Sequence, residues 1–346
     1  MAREMTVVGG GAVGLGCALA AADAGWRVRV YDAGPEGRAA QVAGGMLGCL
    51  GEAHPGEDAL LAVSADSVAR WPALLERLGD PQVQAAASTL LVAGSATDRA
   101  HLDEQAAYLR LRLPQAVLEP VSAGEIREAE TALSRNTAGG YRLRGEGAVD
   151  NRRLLAALRR AVTAAGGEFA APGRVSAGDL VSLPGDQLLV AAGLGSAELL
   201  PGWADELGLR GEKGEILRLR RTGWSVPPPE HVVRGRWHGR NVYLVPRADG
   251  VVVGATQYEA DGPGDLLPQA GGVADLLLDA CELMPGLRTY ELLEAGAGIR
   301  PVSRDGVPVV RRLDDRLLVA AGHGRNGIAL TPGTAAQVVD LLGEPG

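Results

Sequence analysis

Hydrophobic positions gather first at residues 4–8 (Glu-Met-Thr-Val-Val), which read as a short buried strand. They gather again at 27–31 (Arg-Val-Arg-Val-Tyr), alternating with charges at the two-residue period of a half-buried strand. Between the two, an Ala-rich stretch from Ala12 to Ala24 reads as a helix closed by Gly25, where a left-handed glycine is at home. Strand, turn, helix and strand make one complete crossover unit. Further on, Leu60, Leu61, Val68, Trp71, Leu74, Leu75 and Leu78 recur near helical spacing. They predict a long amphipathic helix over 57–78, kinked or divided at Pro72. Strands are expected at 88–93 and 187–192, and helices at 98–112 and Leu154–Ala165, the latter capped near Asp150 or Asn151.

The pattern then shifts. Segments 215–220, 230–234, 241–246 and 250–255 read as short strands punctuated by Gly, Pro and Asn, with Pro227-Pro228-Pro229 as a rigid connection. A helix over roughly 265–283 follows, then a strand at 316–321 and a last helix from about Pro332 to Leu342. The α/β pieces lie at both ends and in the middle, with β-rich pieces between them. This order predicts an α/β fold (α+β overall) of two interleaved domains. One is discontinuous and Rossmann-like, over 1–80, 145–205 and 296–346; the other is β-rich, over 81–144 and 206–295.

A chain of 346 residues exceeds what one simple core needs, in keeping with two units. The formal net charge of −8 leaves no basic footprint, which argues against a nucleic-acid partner. No apolar run approaches the roughly 18 residues of a membrane span. The three cysteines, Cys17, Cys49 and Cys281, form no CxxC pair and no zinc spacing, so no metal is expected. Their sparse, odd number fits a reducing compartment, and no signal-peptide pattern precedes the first strand, so a cytoplasmic protein is expected. With 50 glycines, glycine motifs arise by chance, and each needs context to carry weight.

Gly9-x-Gly11-x-x-Gly14 has that context, because it joins a strand to a helix. The first glycine makes the tight turn, the second lets a pyrophosphate approach the backbone, and the third lets helix and strand pack closely. Asp32, 18 residues after Gly14, ends the second strand, where a carboxylate accepts bonds from ribose hydroxyls. The acid disfavours NADP, whose 2′-phosphate it repels. It does not separate NAD from FAD.

Further motifs do separate them. Gly44-Gly45-Met46-Leu47, with Glu52 and His54 following, stands shortly after Asp32. Gly296-Ala297-Gly298-Ile299-Arg300-Pro301 and Gly322-His323-Gly324-Arg325-Asn326-Gly327-Ile328 come near the end. Together with the first motif they resemble the D-amino-acid oxidase-like FAD family, and within it the glycine oxidase branch of the ThiO type, from Val7 to about Leu342. The resemblance implies a Rossmann-like FAD domain and a β-rich substrate domain. It implies that FAD is lined by Ala12, Val13, Asp32, Ala33, Ala39, Ala40, Gly44, Gly45 and Met46. Val175 would meet the adenine end through its backbone, and Gly193 would form a second glycine turn beside the cofactor. The segment from His323 through Gly324, Arg325, Asn326, Gly327 and Ile328 to Ala329 would wrap the flavin ring and pyrophosphate. FAD is expected to be non-covalent, because Cys281 is not where related sarcosine oxidases attach flavin and residues 298–304 hold no cysteine.

The same resemblance assigns the substrate residues. Arg300 matches the family's carboxylate-clamping arginine, which suits a bidentate guanidinium contact. Tyr243 matches the tyrosine whose hydroxyl helps hold the substrate, and Arg325 a further arginine near substrate and flavin. His323 is expected to contact flavin or shape the backbone, and Glu52 and His54 to be structural or solvated. The implied reaction passes a hydride from the α-carbon of an amino acid or amine to flavin N5, and O2 then reoxidises the flavin. Glycine would give glyoxylate, ammonia and hydrogen peroxide, and in thiamine (thiazole) biosynthesis the imine is the useful product. A homo-oligomer, tetramer or dimer, is implied as well.

The chain departs from the family pattern at three places. Gly324 stands where an aromatic is common, Asn241 where a His can occur, and Gln257 where a Met can approach the substrate. These make the pocket more polar or more open, with Trp237, His238 or Tyr258 available to refill it. A D-amino-acid oxidase or a sarcosine or secondary-amine oxidase is therefore the alternative. An NAD(P)H-dependent dehydrogenase or monooxygenase would need a second nucleotide fingerprint, and none of convincing quality is seen. A non-catalytic flavin-binding protein is the remaining class, against which Arg300 and Tyr243 speak.

Overall fold

The computed structural model describes residues 3–48, 50–171, 173–260, 262 and 264–343; Cys49 lies outside them. The strands in chain order begin with β1 (Glu4–Val8), β2 (Arg27–Tyr31), β3 (Gln84–Ala93), β4 (Leu118–Val121) and β5 (Gly140–Val149). They continue with β6 (Glu168–Phe169), β7 (Gln187–Val190), β8 (Arg210–Arg220), β9 (Val232–Trp237) and β10 (Arg240–Arg247). The last are β11 (Gly250–Gly254), β12 (Tyr258–Glu259), β13 (Glu291–Val302), β14 (Val309–Arg312) and β15 (Leu317–Ala321).

Two sheets result. The smaller has the order β14-β15-β7-β1-β2-β6 and is parallel except where β14 meets β15. The larger has nine strands, β12-β8-β11-β10-β9-β3-β5-β4, with β13 also paired to β8. It is antiparallel except between β3 and β9.

The predicted crossover is present: β1 pairs in parallel with β2, and the helix Ala12–Asp23 lies between them in sequence. That helix shows no polar stripe because nearly all of it is buried. It touches the helices Asn151–Ala164 and Thr331–Gly343, and a Cβ at Gly16 would fall 2.4 Å from Thr331 Cγ2, so glycine is what lets the helices approach there. The expected long helix is divided into Asp58–Ala69 and Trp71–Leu78, with Pro72 in the first turn of the second. There its missing N–H costs nothing. Asp150 caps Asn151–Ala164, accepting bonds at 3.0 Å from the amides of Arg152 and Arg153.

In the larger sheet the pleat decides which residues face what. Val242 and Leu244 of β10 join the core that also holds Leu276, Ala280 and Leu283 of the helix Ala270–Leu283. Tyr243 and Val245, which alternate with them, face the other way and pack with Val42 and Met46. The larger sheet is thus buried by a helix on one face and open to a site on the other.

Two expected boundaries move. Positions 145 and 296 fall inside β5 and β13, both strands of the larger sheet. What places these strands is their pairing with β3 and β8, which no local pattern announces. No helix among the described residues is long and apolar enough to cross a membrane.

Candidate active site

A cavity of about 990 Å³ lies between the two sheets. Its walls come from the β1–helix turn, the 32–54 segment, the β7 end, the outward face of the larger sheet and the 323–328 segment.

At one end the backbone is shaped by glycines. Gly9 has φ +131, and a Cβ there would sit 2.2 Å from the Ala191 carbonyl oxygen. A Cβ at Gly14 would sit 2.0 Å from the Gly9 carbonyl oxygen, so the third glycine serves packing and stays off the cavity wall. Gly11 caps the first helix with no side-chain hydrogen bond, and the first turn carries no acidic residue. A Cβ at Gly11 would meet nothing within 4 Å. The helix therefore presents unpaired N–H groups and its positive end to open space, the arrangement a diphosphate satisfies.

Asp32 lies beside this turn, close enough that a Cβ on Gly10 would fall 2.2 Å from its Cγ. Its Oδ1 accepts from Gly34 N at 3.0 Å and Arg38 Nη2 at 2.6 Å, and its Oδ2 from Arg159 Nη1 at 3.2 Å. These arginines were not expected from the sequence. A carboxylate offers about four acceptor positions, so ribose hydroxyls still find room.

Ala33, Ala39, Ala40, Gly44, Gly45 and Met46 line the same cavity, as do Val175 and Gly193. The loop holding Gly44 and Gly45 is fixed from outside. Asn151 Nδ2 donates to the carbonyls of Ala40 at 2.7 Å and Gln41 at 2.9 Å, and Arg247 Nη2 donates to that of Gly44 at 2.9 Å. Gly45, at φ +82, pairs with Val149 so closely that a Cβ would sit 2.0 Å from its carbonyl oxygen. An uncapped helix end, a glycine-lined cradle and a flanking carboxylate all in one cavity fit FAD.

The other end of the cavity holds the substrate candidates. Arg300 on β13 reaches over Gly214 of β8, where a Cβ would fall 2.2 Å from its Nη2. Both of its Nη atoms lie 3.4 Å from the Thr256 carbonyl oxygen, and among the described residues no carboxylate pairs with it. Tyr243 on β10 lies over Gly254, its partner on β11, where a Cβ would fall 2.3 Å from the hydroxyl. A Cβ at Gly44 would also fall 3.0 Å from the same hydroxyl. Burial raises the Tyr243 phenol above its usual pKa, with Arg300 pulling the other way, so the hydroxyl stays protonated. Gly214 and Gly254, which make room for both side chains, were missed from the sequence. Only cross-strand pairing shows their purpose.

Arg325 is also on the wall, but its guanidinium is engaged. Nε lies 2.8 Å from Glu52 Oε2 and Nη2 lies 3.1 Å from Glu57 Oε2. Glu52 Oε1 also takes Arg234 Nη1 at 2.9 Å. Burial opposes ionisation of Glu52, but Arg234 and Arg325 outweigh it and hold the carboxyl below the usual range. Glu52 is a structural bridge between the 50–57 segment, β9 and the 323–328 segment.

His323 is buried, its Nε2 sharing a hydrogen bond of 2.9 Å with Thr334 Oγ1, and burial pushes its pKa down to about 4. It stays neutral at ordinary pH. Gly324 has φ +55, a backbone an aromatic side chain rarely adopts, which accounts locally for glycine at this place. Gly327 and Ile328 line the cavity, and Asn326 does so as a buried residue. Ala329, expected at the cofactor, does not: its carbonyl takes Ser67 Oγ at 2.8 Å and Trp71 Nε1 at 3.0 Å.

Asn241 and Gln257 are on the cavity wall; Trp237, His238 and Tyr258 are not. Trp237 is instead core, filling the space a side chain at Gly94 would need. The opening left by the smaller residues is not refilled by these three.

A model of the family described as FAD dependent oxidoreductase matches residues 4–341. The glycine oxidase of Geobacillus kaustophilus is 30% identical over 360 residues, spanning 98% of this chain and 92% of its own length. The crystal structure of glycine oxidase from the same organism superposes with a TM-score of 0.86 at 28% identity, covering 99% of this chain and 96% of that one. A bifunctional protein ThiO/ThiG of Synechocystis sp. is 33% identical over 231 residues, 63% of this chain and 34% of that protein.

Proposed function

Because this chain belongs to the FAD dependent oxidoreductase family and is an FAD-dependent amino-acid oxidase, we propose that it oxidises glycine. The balance is glycine, O2 and water to glyoxylate, ammonia and hydrogen peroxide. One observation carries the reading. A guanidinium that no carboxylate among the described residues pairs with and a protonated phenol converge on the cavity, each occupying space freed by a glycine.

Arg300 binds the substrate carboxylate through two parallel bonds, and the Tyr243 hydroxyl donates to the same group. FAD, held by the Gly9–Gly14 turn, Asp32 and the Gly44-Gly45-Met46 loop, would supply the hydride acceptor and the route of the electrons to O2. The protein's share is positioning. His323, neutral and bonded to Thr334, is not held as a base, which supports an amine that binds already neutral. Arg325 acts as a positioning residue through Glu52 and Glu57. The likeness to the ThiO/ThiG protein supports delivery of the imine into thiamine biosynthesis.

A second reading, a D-amino-acid or secondary-amine oxidase, is favoured by Asn241, Gln257 and Gly324 at the cavity wall, where larger residues would narrow it. An anaerobic spectrum of the purified protein tests both. Glycine should bleach the flavin band near about 450 nm. Bleaching by D-alanine or D-proline but not glycine selects the second reading, and bleaching by no amine removes both.

A further inference from the structure

The cofactor end of the cavity is carried from behind. Its wall runs through the short helix Ala39–Val42 and on through Gly44 and Gly45. The last carbonyls of so short a helix find no partner within it. Those of Ala40 and Gln41 are taken by Asn151 Nδ2, at 2.7 and 2.9 Å, and Arg152 Nε adds a longer contact of 3.4 Å to Gln41. Asn151 Oδ1 accepts in turn from Arg218 Nη2 at 3.1 Å and from Arg247 Nη2 at 3.3 Å. All four hydrogen-bonding positions of one fully buried amide are thus in use. Its orientation is fixed, because guanidiniums only donate and carbonyls only accept.

Both arginines come from the larger sheet. Arg247 of β10 shares a face with Tyr243 and Val245 by the two-residue period of a strand. Val252 of β11 pairs with Val245 on one side and with Arg218 of β8 on the other, which puts Arg218 on that face too. Their charges are answered in the same seam: Glu294 Oε2 lies 3.7 Å from Arg218 Nε, and Asp150 Oδ2 lies 3.5 Å from Arg247 Nε. Burial brings Arg247 down to about 10, against the pull of Asp150, so it keeps its charge at neutral pH. Arg247 Nη2 also donates to the Gly44 carbonyl at 2.9 Å. Tyr243 packs on the same glycine, whose Cβ would fall 3.0 Å from Cε2 of the ring. β10 therefore grips Gly44 twice, once through the tyrosine and once through a guanidinium.

We propose that Asn151 and Arg247 are positioning residues, which fix the cofactor wall to the sheet that carries Tyr243 and Arg300 and so set the distance between flavin and substrate. Neither side chain lines the cavity. Both act through the carbonyls of Ala40, Gln41 and Gly44. The cofactor part of this proposal stands on FAD alone, and only its kinetic part rests on the glycine reading above. Hydride transfer tolerates little misplacement: about 1 Å costs on the order of a hundredfold in rate. The carboxylate clamp sits on β10 and β13 and is untouched when the wall shifts. The expected mark of a loosened wall is therefore a fall in kcat at constant KM.

Asn151→Asp separates this role from a merely structural one. A carboxylate keeps and strengthens the two bonds from the arginines, but it repels the Ala40 and Gln41 carbonyls. Far-UV CD should show the fold retained. Free-flavin fluorescence on diluting the holoenzyme should give an FAD dissociation constant at least tenfold above that of the parent. Arg247→Lys and Arg218→Lys form a matched pair, since both keep the charge and lose the planar fork. Only the first gives up the Gly44 carbonyl, so only the first should weaken FAD tenfold, with Arg218→Lys within threefold of the parent. With FAD saturating, Asn151→Asp and Arg247→Lys should lower kcat on glycine at least tenfold with KM within threefold. Unchanged FAD affinity in a folded Asn151→Asp, equal losses in the two lysine variants, or a KM that rises as kcat falls overturns the proposal. If Asn151→Asp does not fold, the lysine pair decides alone. If glycine bleaches neither parent nor variants, the glycine reading fails, and the FAD dissociation constants still decide this proposal.

Discussion

Replacing Gly214 with Ala tests the proposed substrate end of the cavity while leaving Arg300 itself unchanged. The new methyl would sit 2.2 Å from Arg300 Nη2 and 2.4 Å from its Cζ, far inside van der Waals contact. The obstacle is the tip of a flexible side chain, so the guanidinium must swing aside while the backbone stays in register. The Gly298 pairing across β8 and β13 involves main-chain atoms only. The fold should therefore survive, with Tm close to that of the parent. Substrate binding should not. A bidentate contact holds the carboxylate through two charge-assisted bonds, each worth about 1.5–3 kcal/mol. Misplacing the guanidinium enough to lose one of them raises KM roughly 10- to 100-fold, at 1.36 kcal/mol per decade. Steady-state oxygen consumption with glycine, and titration of the flavin spectrum with acetate, both read this loss. An unchanged acetate affinity in Gly214→Ala, with Tm preserved, would refute the placement of Arg300 as the clamp.

The remaining predictions concern the cofactor, the phenol and the wall. Gly14→Ala places a methyl 2.0 Å from the Gly9 carbonyl oxygen, so the protein should purify with little flavin colour yet keep its far-UV CD. Tyr243→Phe removes one hydrogen bond of about 0.5–1.5 kcal/mol, and kcat/KM should fall about three- to tenfold with flavin content unchanged. Glu52→Gln leaves Arg234 and Arg325 without their shared carboxylate and should lower stability by about 2–4 kcal/mol in urea melts. His323 is held at about 4 against an ordinary 6.5, so the unfolded chain binds more protons between those values. Its contribution is complete above pH 6.5 and is lost as pH falls through 4, by up to about 3 kcal/mol. Urea midpoints at pH 7 and 4.5 should diverge less in His323→Gln than in the parent.

How much of this was legible beforehand depends on how local each signal is. The β1–helix–β2 crossover, the division at Pro72 and the Asp150 cap depend on neighbours within a few residues, and each is where the pattern put it. β5 and β13 are different. The 12 residues of β13 include Gly296, Gly298 and Pro301 and read as a glycine-rich motif, not a strand, because its β-structure comes from β8 alongside. The site divides the same way. Arg300 and Tyr243 stand out through their match to the family's motifs, whereas Gly214 and Gly254 look like two among 50 glycines. Arg38 and Arg159 meet Asp32 from six and 127 positions away, a conjunction no window along the chain contains.

The same reasoning explains why the arginines of the wall had to be sorted by partner and not by motif. Arg325 carries the family-like signature, yet two carboxylates hold it. Arg300 carries one too, yet among the described residues no carboxylate pairs with it. A sequence match reports that a cation stands at a position. Whether that cation is free to meet a ligand depends on the anions that folding brings beside it, and on that ground we propose recognition for Arg300 and scaffolding for Arg325 and Arg234. Arg325→Gln should therefore cost stability before it costs affinity, and Arg300→Gln the reverse. Urea melts and kcat/KM ratios measured on the same two variants would reveal an inverted order, and with it a fault in the charge balance drawn for this wall.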